Sequence, residues 1–408
     1  MNYVIIGNSA GAIGCVEGIR KADKEGKITL IASEPHHTYS RPLISYLLLG
    51  RTDEERMKYR APSFYEDNNV DTKLGVTVTK IDKDDKIVET DGGEKIPYDK
   101  LLIATGSNPF IPPMGGLDSV EKKFTFMTLD SAHALDAALT PDSRVLIVGA
   151  GLIGLKCAEG IAERVREITV VDLADRILPS ILDSDGSAVM QRHIEKSGVR
   201  FILSDSVKEF SGNTAALNSG KTVDFDVLVI AVGVRPATAL AAEAGIEVNR
   251  GIVTDAHCET SVKDIYAAGD CTESLDITTG QNKIMALLPN AYMQGECAGQ
   301  NMAGVEALYD KAIPMNAIGF FGLHIVSAGS YDGEEYVETD GENYKKLVTK
   351  DGLLKGFIIM GDVRRAGIYT SLIREKTPLE TIDFELIKRH PKLMAFAADS
   401  ERRQKLSR

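Results

Sequence analysis

Cysteine is scarce in this chain, and the little there is lies scattered. The 408 residues include five, Cys15, Cys157, Cys258, Cys271 and Cys297, and no two form a CxxC or CxxxxC pair. That excludes an iron–sulfur, zinc or dithiol motif carried by the chain itself and reads as reduced, cytoplasmic usage. Long apolar runs are missing as well: nothing approaches the roughly 18 residues a membrane-spanning helix needs. The first strand starts at Asn2, so no signal peptide is expected ahead of it. Positive charge is in deficit, 47 Lys and Arg against 59 Asp and Glu. A net charge of −12 argues against nucleic acid or an anionic membrane surface as the main partner. The deficit belongs to residues 1–310, with 31 basic and 45 acidic side chains, whereas residues 311–408 carry 16 and 14. From Leu386 onward seven basic residues face two acidic ones, which suits either a solvated tail or a docking patch for an acidic partner. The length allows about two to four domains with ample core.

What is present is organised around residues 144–172, RVLIVGAGLIGLKCAEGIAERVREITVVD. An apolar run leads into Gly149-Ala150-Gly151-Leu152-Ile153-Gly154, a helical pattern follows, and a second apolar run ends on Asp172, just over twenty residues past the first glycine. In this strand–turn–helix–strand setting Gly149 makes the tight turn, Gly151 lets backbone approach a pyrophosphate, and Gly154 lets helix and strand pack closely. The phosphates then sit on the helix N-terminus, where unpaired N–H groups and the helix dipole favour anions. Asp172 is placed to accept from a ribose 2′-hydroxyl and would repel a 2′-phosphate, which predicts NAD(H) over NADP(H), with Arg176 as the nearby residue that softens the preference.

The same logic opens the chain. Tyr3–Ile6 reads as a buried strand, Gly7-Asn8-Ser9-Ala10-Gly11-Ala12-Ile13-Gly14 follows, and Ile28–Ala32 leads to Glu34, 27 residues after the first glycine. Ser9 and Ala12 occupy the second and third glycine positions; both are small, and the Ser9 hydroxyl can itself meet a phosphate. Arg41, before Pro42, lies within reach of a nucleotide phosphate, with solvent exposure the competing reading. His36 and His37 have no third ligand nearby, which favours packing or surface roles over a metal site.

Each module continues alike. Residues 75–97 and the stretch around Gly212 and Gly220 read as antiparallel meanders. They lead to LLIATGSNP and VLVIAVGVRP, buried strands closing on a glycine turn. Gly7 to Gly106 spans 99 residues and Gly149 to Gly233 spans 84. Two like-built modules are a stronger signal than either fingerprint. Ile265–Asp270, IYAAGD, adds a strand that ends in small residues and an acid at the ligand end of the sheet. Beyond residue 310, Tyr344–Val348 and Leu353–Met360 read as strands with Gly352 in the turn, Ile368–Arg374 as helix, and Asp332–Glu342, with six acids, as a solvated loop.

GNSAGAIG with Glu34, ATG at 104–106, GAGLIG with Asp172, GVRP at 233–236 and YAAGD at 266–270 occur in one order and spacing. Together they resemble the FAD/NAD(P)-dependent pyridine-nucleotide oxidoreductases, over about residues 1–305. TYSRPLIS and the short C-terminal region are most similar to the branch containing NADH:rubredoxin reductases, nitrite reductase flavoproteins and the flavin subunits of phenylglyoxylate dehydrogenase and aldehyde oxidoreductases. The resemblance implies an α/β fold: an FAD-binding Rossmann-like domain (1–112 and 236–310), an inserted NAD-binding domain (113–235) and a small α+β C-terminal domain (311–408). It implies that Gly7, Ser9, Ala10, Gly11, Glu34, Arg41, Pro42, Val78, Ala104, Thr105, Gly106, Gly269 and Asp270 hold FAD, with Asp270 on the ribityl chain. It likewise implies that Gly149, Gly151, Leu152, Ile153, Gly154, Asp172 and Gly233 hold NAD.

Three departures shape the expectation. Related disulfide reductases carry a redox cysteine near the flavin, where Leu43–Ser45 falls here, so dithiol, persulfide and coenzyme-A disulfide chemistry lose their nucleophile. Lys156 stands where many relatives have a glutamate, which alters nicotinamide positioning. The C-terminal region is shorter than a disulfide-reductase dimerisation domain, and His390 is read as a surface residue. Hydride transfer between the two cofactors needs no protein nucleophile, so no catalytic acid or base is expected. The implied activity is an FAD-dependent NADH oxidoreductase that exchanges electrons with an iron–sulfur or rubredoxin-type protein, free-standing or as a subunit of a larger complex. The alternatives are an NADH oxidase that reduces O2 and a non-catalytic nucleotide sensor.

Overall fold

The structure, a computed structural model, describes residues 1–392. The basic C-terminal tail singled out above therefore lies mostly outside the described residues. The chain forms two compact units, Met1–Phe110 with Val234–Ala312, and Ile111–Gly233 with the chain from Ile313 on.

The first unit is built on a five-stranded sheet in the order Ile265–Ala267, Lys100–Ile103, Asn2–Ile6, Lys27–Ala32, Val70–Leu74. All pairings are parallel, with Val4 opposite Thr29 and Leu101. Tyr3 to Ile6 are all buried, as expected of a central parallel strand covered on both faces. The Ala10–Ala22 helix lies against the Leu288–Met302 helix in a close crossing. A Cβ on Gly14, Gly18, Gly295 or Gly299 would strike backbone of the facing helix, so this approach depends on glycine in both. The meander is present as Val78–Asp82, Ile87–Thr90 and Lys95–Pro97.

The second unit repeats the plan with the strand order Val199–Ile202, Glu167–Val171, Arg144–Val148, Val227–Ile230, Lys123–Phe124, again parallel. Its meander is Val207–Ser211, Thr214–Leu217 and Thr222–Asp224. From Met315 a second sheet follows, antiparallel, in the order Met315–Phe320, Leu323–Gly329, Leu353–Met360, Asn343–Lys350, Glu334–Asp340. The Ala366–Arg374 and Phe384–Arg389 helices complete it.

One expectation needs correction here. The acidic stretch read as a loop contains a strand, Glu334–Asp340, paired along its length with Asn343–Lys350 at the sheet edge. Its residues are almost all exposed, and an edge strand loaded with carboxylates resists pairing with another chain. Charge density hid the strand. Phe320 is fully buried in the core, and His390 is exposed.

Candidate dinucleotide sites

In the first unit Gly7 leaves the central strand with φ +122°, and a Cβ there would overlap the Ala104 carbonyl oxygen. Its N–H donates to the Ile31 carbonyl at 2.8 Å, and the Ala104 N–H donates to the Ile6 carbonyl at 2.8 Å. The turn is wedged between two neighbouring strands, so glycine is obligatory. The second unit reproduces it: Gly149 has φ +118°, its Cβ would overlap the Ala231 carbonyl oxygen, and its N–H donates to the Val171 carbonyl at 2.8 Å. Gly154 is closed off by the Gly149 carbonyl, whereas the space above Gly151 is open. Ala12, at the third fingerprint position of the first unit, is fully buried, which explains why it must be small. Ser9, Ala10 and Gly11 begin the first unit's helix, and Leu152 and Ile153 begin the second unit's.

The acids sit one strand over. Glu34 accepts from the Tyr39 hydroxyl at 2.6 Å and pairs with Arg41, whose guanidinium also lies over the Tyr39 ring. Pro42 follows in the first turn of the Arg41–Leu43 3-10 helix. Asp172 accepts the Ala150 N–H at 2.5 Å and the Ala174 N–H at 2.8 Å, which fixes its carboxylate on the glycine turn itself. Arg176 donates to Asp175 at 2.8 Å, and its Nε is buried without a partner.

Asp270 borders a cleft of about 270 Å³ in the first unit, with Ser107, Arg235, Pro236 and Arg250 also on its walls. Burial pushes its carboxyl above the usual value, against the opposing pulls of the Ser107 hydroxyl, which donates at 3.2 Å, and of the Arg41 charge. Gly106 and Gly233 have positive φ and open space around them, and Thr105 is tied by its hydroxyl to the Ala237 carbonyl at 2.7 Å. Gly269 donates its N–H to Gln294 Oε1 at 2.8 Å, and Gln294 Nε2 donates to the Thr272 hydroxyl at 3.0 Å. Val78 stands apart from these polar groups, in the apolar packing around Ile81, Val88 and Ile103.

Lys156 is buried on the second unit's glycine-turn helix, paired with Glu159, reaching the Gly319 carbonyl at 3.3 Å and lying over the Phe320 ring. Glu159 accepts the Phe321 N–H at 2.8 Å, and His193 Nε2 meets the Phe321 carbonyl at 3.0 Å. Phe321 has φ +50°, a strained value for a bulky residue, so both sides of its backbone are held where strain is stored. The Lys156 departure noted in the sequence is thus part of a clamp on the antiparallel sheet.

These residues suit two dinucleotides. The Ala10–Ala22 and Leu152–Ile161 helices both begin without a side-chain cap, whereas Thr128 and Asp183 cap theirs. Uncapped N–H groups beside open backbone make a phosphate cradle, and the acid one strand away suits a ribose. Among the described residues, no group of three or more His, Cys, Asp or Glu is arranged to hold a metal, and no helix is long and apolar enough to cross a membrane. All five cysteines are buried and free, and the Ser45 hydroxyl donates to the Pro42 carbonyl at 3.3 Å. Asn8, Tyr65, Ser107 and Gln294 escaped sequence reasoning. Ser107 carried a local signal, lying directly after the ATG turn; Tyr65 carried none.

Comparison with known proteins agrees with this geometry. The model of the pyridine nucleotide-disulphide oxidoreductase family matches residues 1–295, and that of the rubredoxin NAD+ reductase C-terminal domain matches residues 314–377. The epsilon subunit of NADH-dependent phenylglyoxylate dehydrogenase from Aromatoleum evansii is 30% identical over 92% of both chains. A nitrite reductase [NAD(P)H] of Bacillus subtilis is 32% identical over 92% of this chain but 47% of its own length, so the chain spans about half of that relative. Putidaredoxin reductase, solved in covalent complex with putidaredoxin, shares the fold with TM-score 0.89 at 22% identity, over 98% of this chain and 99% of that one. A family match across most of the chain, on top of two built glycine turns, places the chain in the pyridine nucleotide-disulphide oxidoreductase family as an FAD-dependent NAD(H) oxidoreductase.

Proposed function

We propose that this protein moves electrons between NAD(H) and an iron–sulfur or rubredoxin-type protein through FAD, free-standing or as the flavoprotein subunit of a larger oxidoreductase. The observation that carries the reading is the combination of two glycine-turn sheets with a C-terminal domain of the rubredoxin NAD+ reductase type. The subunit role is supported by the full-length match to a dehydrogenase subunit. FAD is assigned to residues 1–112 and 236–310, NAD(H) to residues 113–235, and the partner interface to residues 311–408. A cytoplasmic location accords with the free cysteines.

When bound, FAD and NAD(H) supply hydride and single-electron chemistry. The chain contributes the rest. Gly7, Ser9, Ala10 and Gly11 offer backbone to a pyrophosphate, Glu34 and Arg41 hold the adenosine end, and Ala104, Thr105, Gly106, Gly269 and Asp270 line the ribityl side. In the second unit Gly149, Gly151, Leu152, Ile153, Gly154 and Gly233 receive the other pyrophosphate, with Asp172 on the ribose. No side chain is assigned a proton-transfer or nucleophilic role.

The test is to purify the protein anaerobically, add NADH, and follow the flavin spectrum with rubredoxin, ferredoxin or oxygen. Rapid bleaching, slow reoxidation by oxygen and fast reoxidation by a carrier are expected. Fast reoxidation by oxygen alone would transfer the assignment to an NADH oxidase, and a failure to bleach would refute the NADH-to-flavin direction.

A further inference from the structure

We propose that Tyr65 and Asn8 form a polar staple that holds the first unit's glycine turn and the loop after its second strand in one fixed arrangement, making them positioning residues for FAD. The inference rests on the assignment of FAD to that unit.

The directions of the hydrogen bonds follow from chemistry. The Thr38 backbone N–H can only donate, and it points at the Tyr65 oxygen, 3.0 Å away. The Tyr65 hydroxyl hydrogen is therefore free to donate to Asn8 Oδ1 at 2.7 Å. That leaves Asn8 Nδ2 to donate to the His36 carbonyl at 3.1 Å. The reverse orientation of the Asn8 amide would set two acceptors against each other, so the circuit has one consistent assignment. Burial raises the Tyr65 hydroxyl above its ordinary pKa, which keeps it a donor at any physiological pH. The Tyr65 ring lies against His37 with centroids 4.7 Å apart, and His37 Nδ1 meets the Thr38 carbonyl at 3.0 Å.

Both ends of the staple are next to the cofactor residues. Asn8 follows Gly7, whose backbone has no slack, and precedes Ser9 at the helix start. His36, His37 and Thr38 lie between Glu34 and the Tyr39–Arg41 pair that holds the Glu34 carboxylate. The far side of this loop is secured separately, by the Tyr59 N–H on the Thr38 carbonyl at 2.9 Å and the Ser40 N–H on the Met57 carbonyl at 2.8 Å. The staple thus spans the gap between the phosphate turn and the adenosine loop. A cleft fixed before binding spares the ligand the entropy of ordering that loop, and the saving appears as affinity.

Tyr65→Phe removes the hydroxyl and keeps the ring. Holoprotein is diluted and FAD release followed by flavin fluorescence, and the apoprotein is titrated with FAD and, separately, with NAD+. Removing the hydroxyl deletes its hydrogen bonds with the Thr38 N–H and with Asn8 Oδ1 and should raise the FAD Kd roughly tenfold, mainly through faster release. The NAD+ Kd stays at the wild-type value. Asn8→Ala should give a comparable or larger loss, and the double variant should fall short of the product of the two singles, since both cut one circuit. An unchanged FAD Kd in Tyr65→Phe, a fully multiplicative double variant, or a parallel loss of NAD+ affinity would each overturn the proposal. A wild-type apoprotein that takes up no FAD would overturn the cofactor assignment together with it, a different result from tight wild-type binding and an indifferent variant.

Discussion

Alanine at Gly149 and alanine at Gly7 should produce separate lesions of similar size. Each glycine has φ near +120°, a region closed to residues with a Cβ, and each added Cβ would overlap the carbonyl oxygen of the adjacent strand, at Ala231 and Ala104. Backbone strain of this kind costs about 1–3 kcal/mol, and overpacking against a fixed backbone adds about 1–3 kcal/mol. The turn must shift to relieve either, and in shifting it withdraws the N–H groups proposed to meet a pyrophosphate. A combined penalty of about 3 kcal/mol corresponds to roughly a hundredfold loss of nucleotide affinity. Gly149→Ala should keep a wild-type ratio of flavin to protein absorbance yet need roughly a hundredfold more NADH to bleach that flavin. Gly7→Ala should emerge largely without FAD while retaining NAD+ binding by calorimetry. Thermal unfolding of both variants separates a local shift from a collapsed unit. The reasoning fails if Gly149→Ala sheds FAD as readily as Gly7→Ala, or if either variant binds its nucleotide at wild-type affinity.

Three further outcomes are expected. Asp270 has a carboxyl raised by burial, so its ionised form costs folding free energy, and stability attributable to it falls as pH rises from the ordinary carboxylate range through the raised value. Asp270→Asn should therefore raise the apoprotein's Tm at pH 7, lose that advantage near pH 3 to 4 (the range of an ordinary carboxyl), and weaken FAD binding; a lowered Tm at pH 7 would contradict the sign. Lys156→Met strands the Glu159 carboxylate, whose side chain is 6% exposed, and should destabilise the second unit by roughly 3 kcal/mol in denaturant titrations, with Glu159→Gln in the same chain recovering most of it. Asp172→Ala should lower kcat/KM for NADH by roughly 10–100-fold, the worth of a hydrogen bond to a charged acceptor, and that for NADPH by less, measured side by side in steady state; equal losses would argue against Asp172 as the residue that discriminates at the ribose.

The parts of this molecule that could be read from its sequence are those where a local backbone demand admits one residue type. Gly7 and Gly149 are glycine because their φ angles and the neighbouring carbonyl forbid anything else, and the buried strands feeding them are apolar throughout because both faces are covered. The order of the strands then follows from the repeated strand–helix–strand connection. What stayed hidden depends on residues far apart in the chain. Tyr65 and Asn8 are 57 positions apart and Ser107 and Asp270 are 163 apart, and no periodicity connects either pair. Arg41 illustrates a subtler limit. Its position after the second strand suggested a phosphate, yet in the fold its guanidinium pairs with Glu34, the acid expected at the ribose, and its charge also reaches Asp270. One cation thus bears on two acids far apart in the chain, a link that only the tertiary structure supplies. Glu334–Asp340 fails for the opposite reason: strand pairing is a backbone property, and side-chain charge, which repels outside partners, says nothing of the hydrogen bonds made on the inner edge.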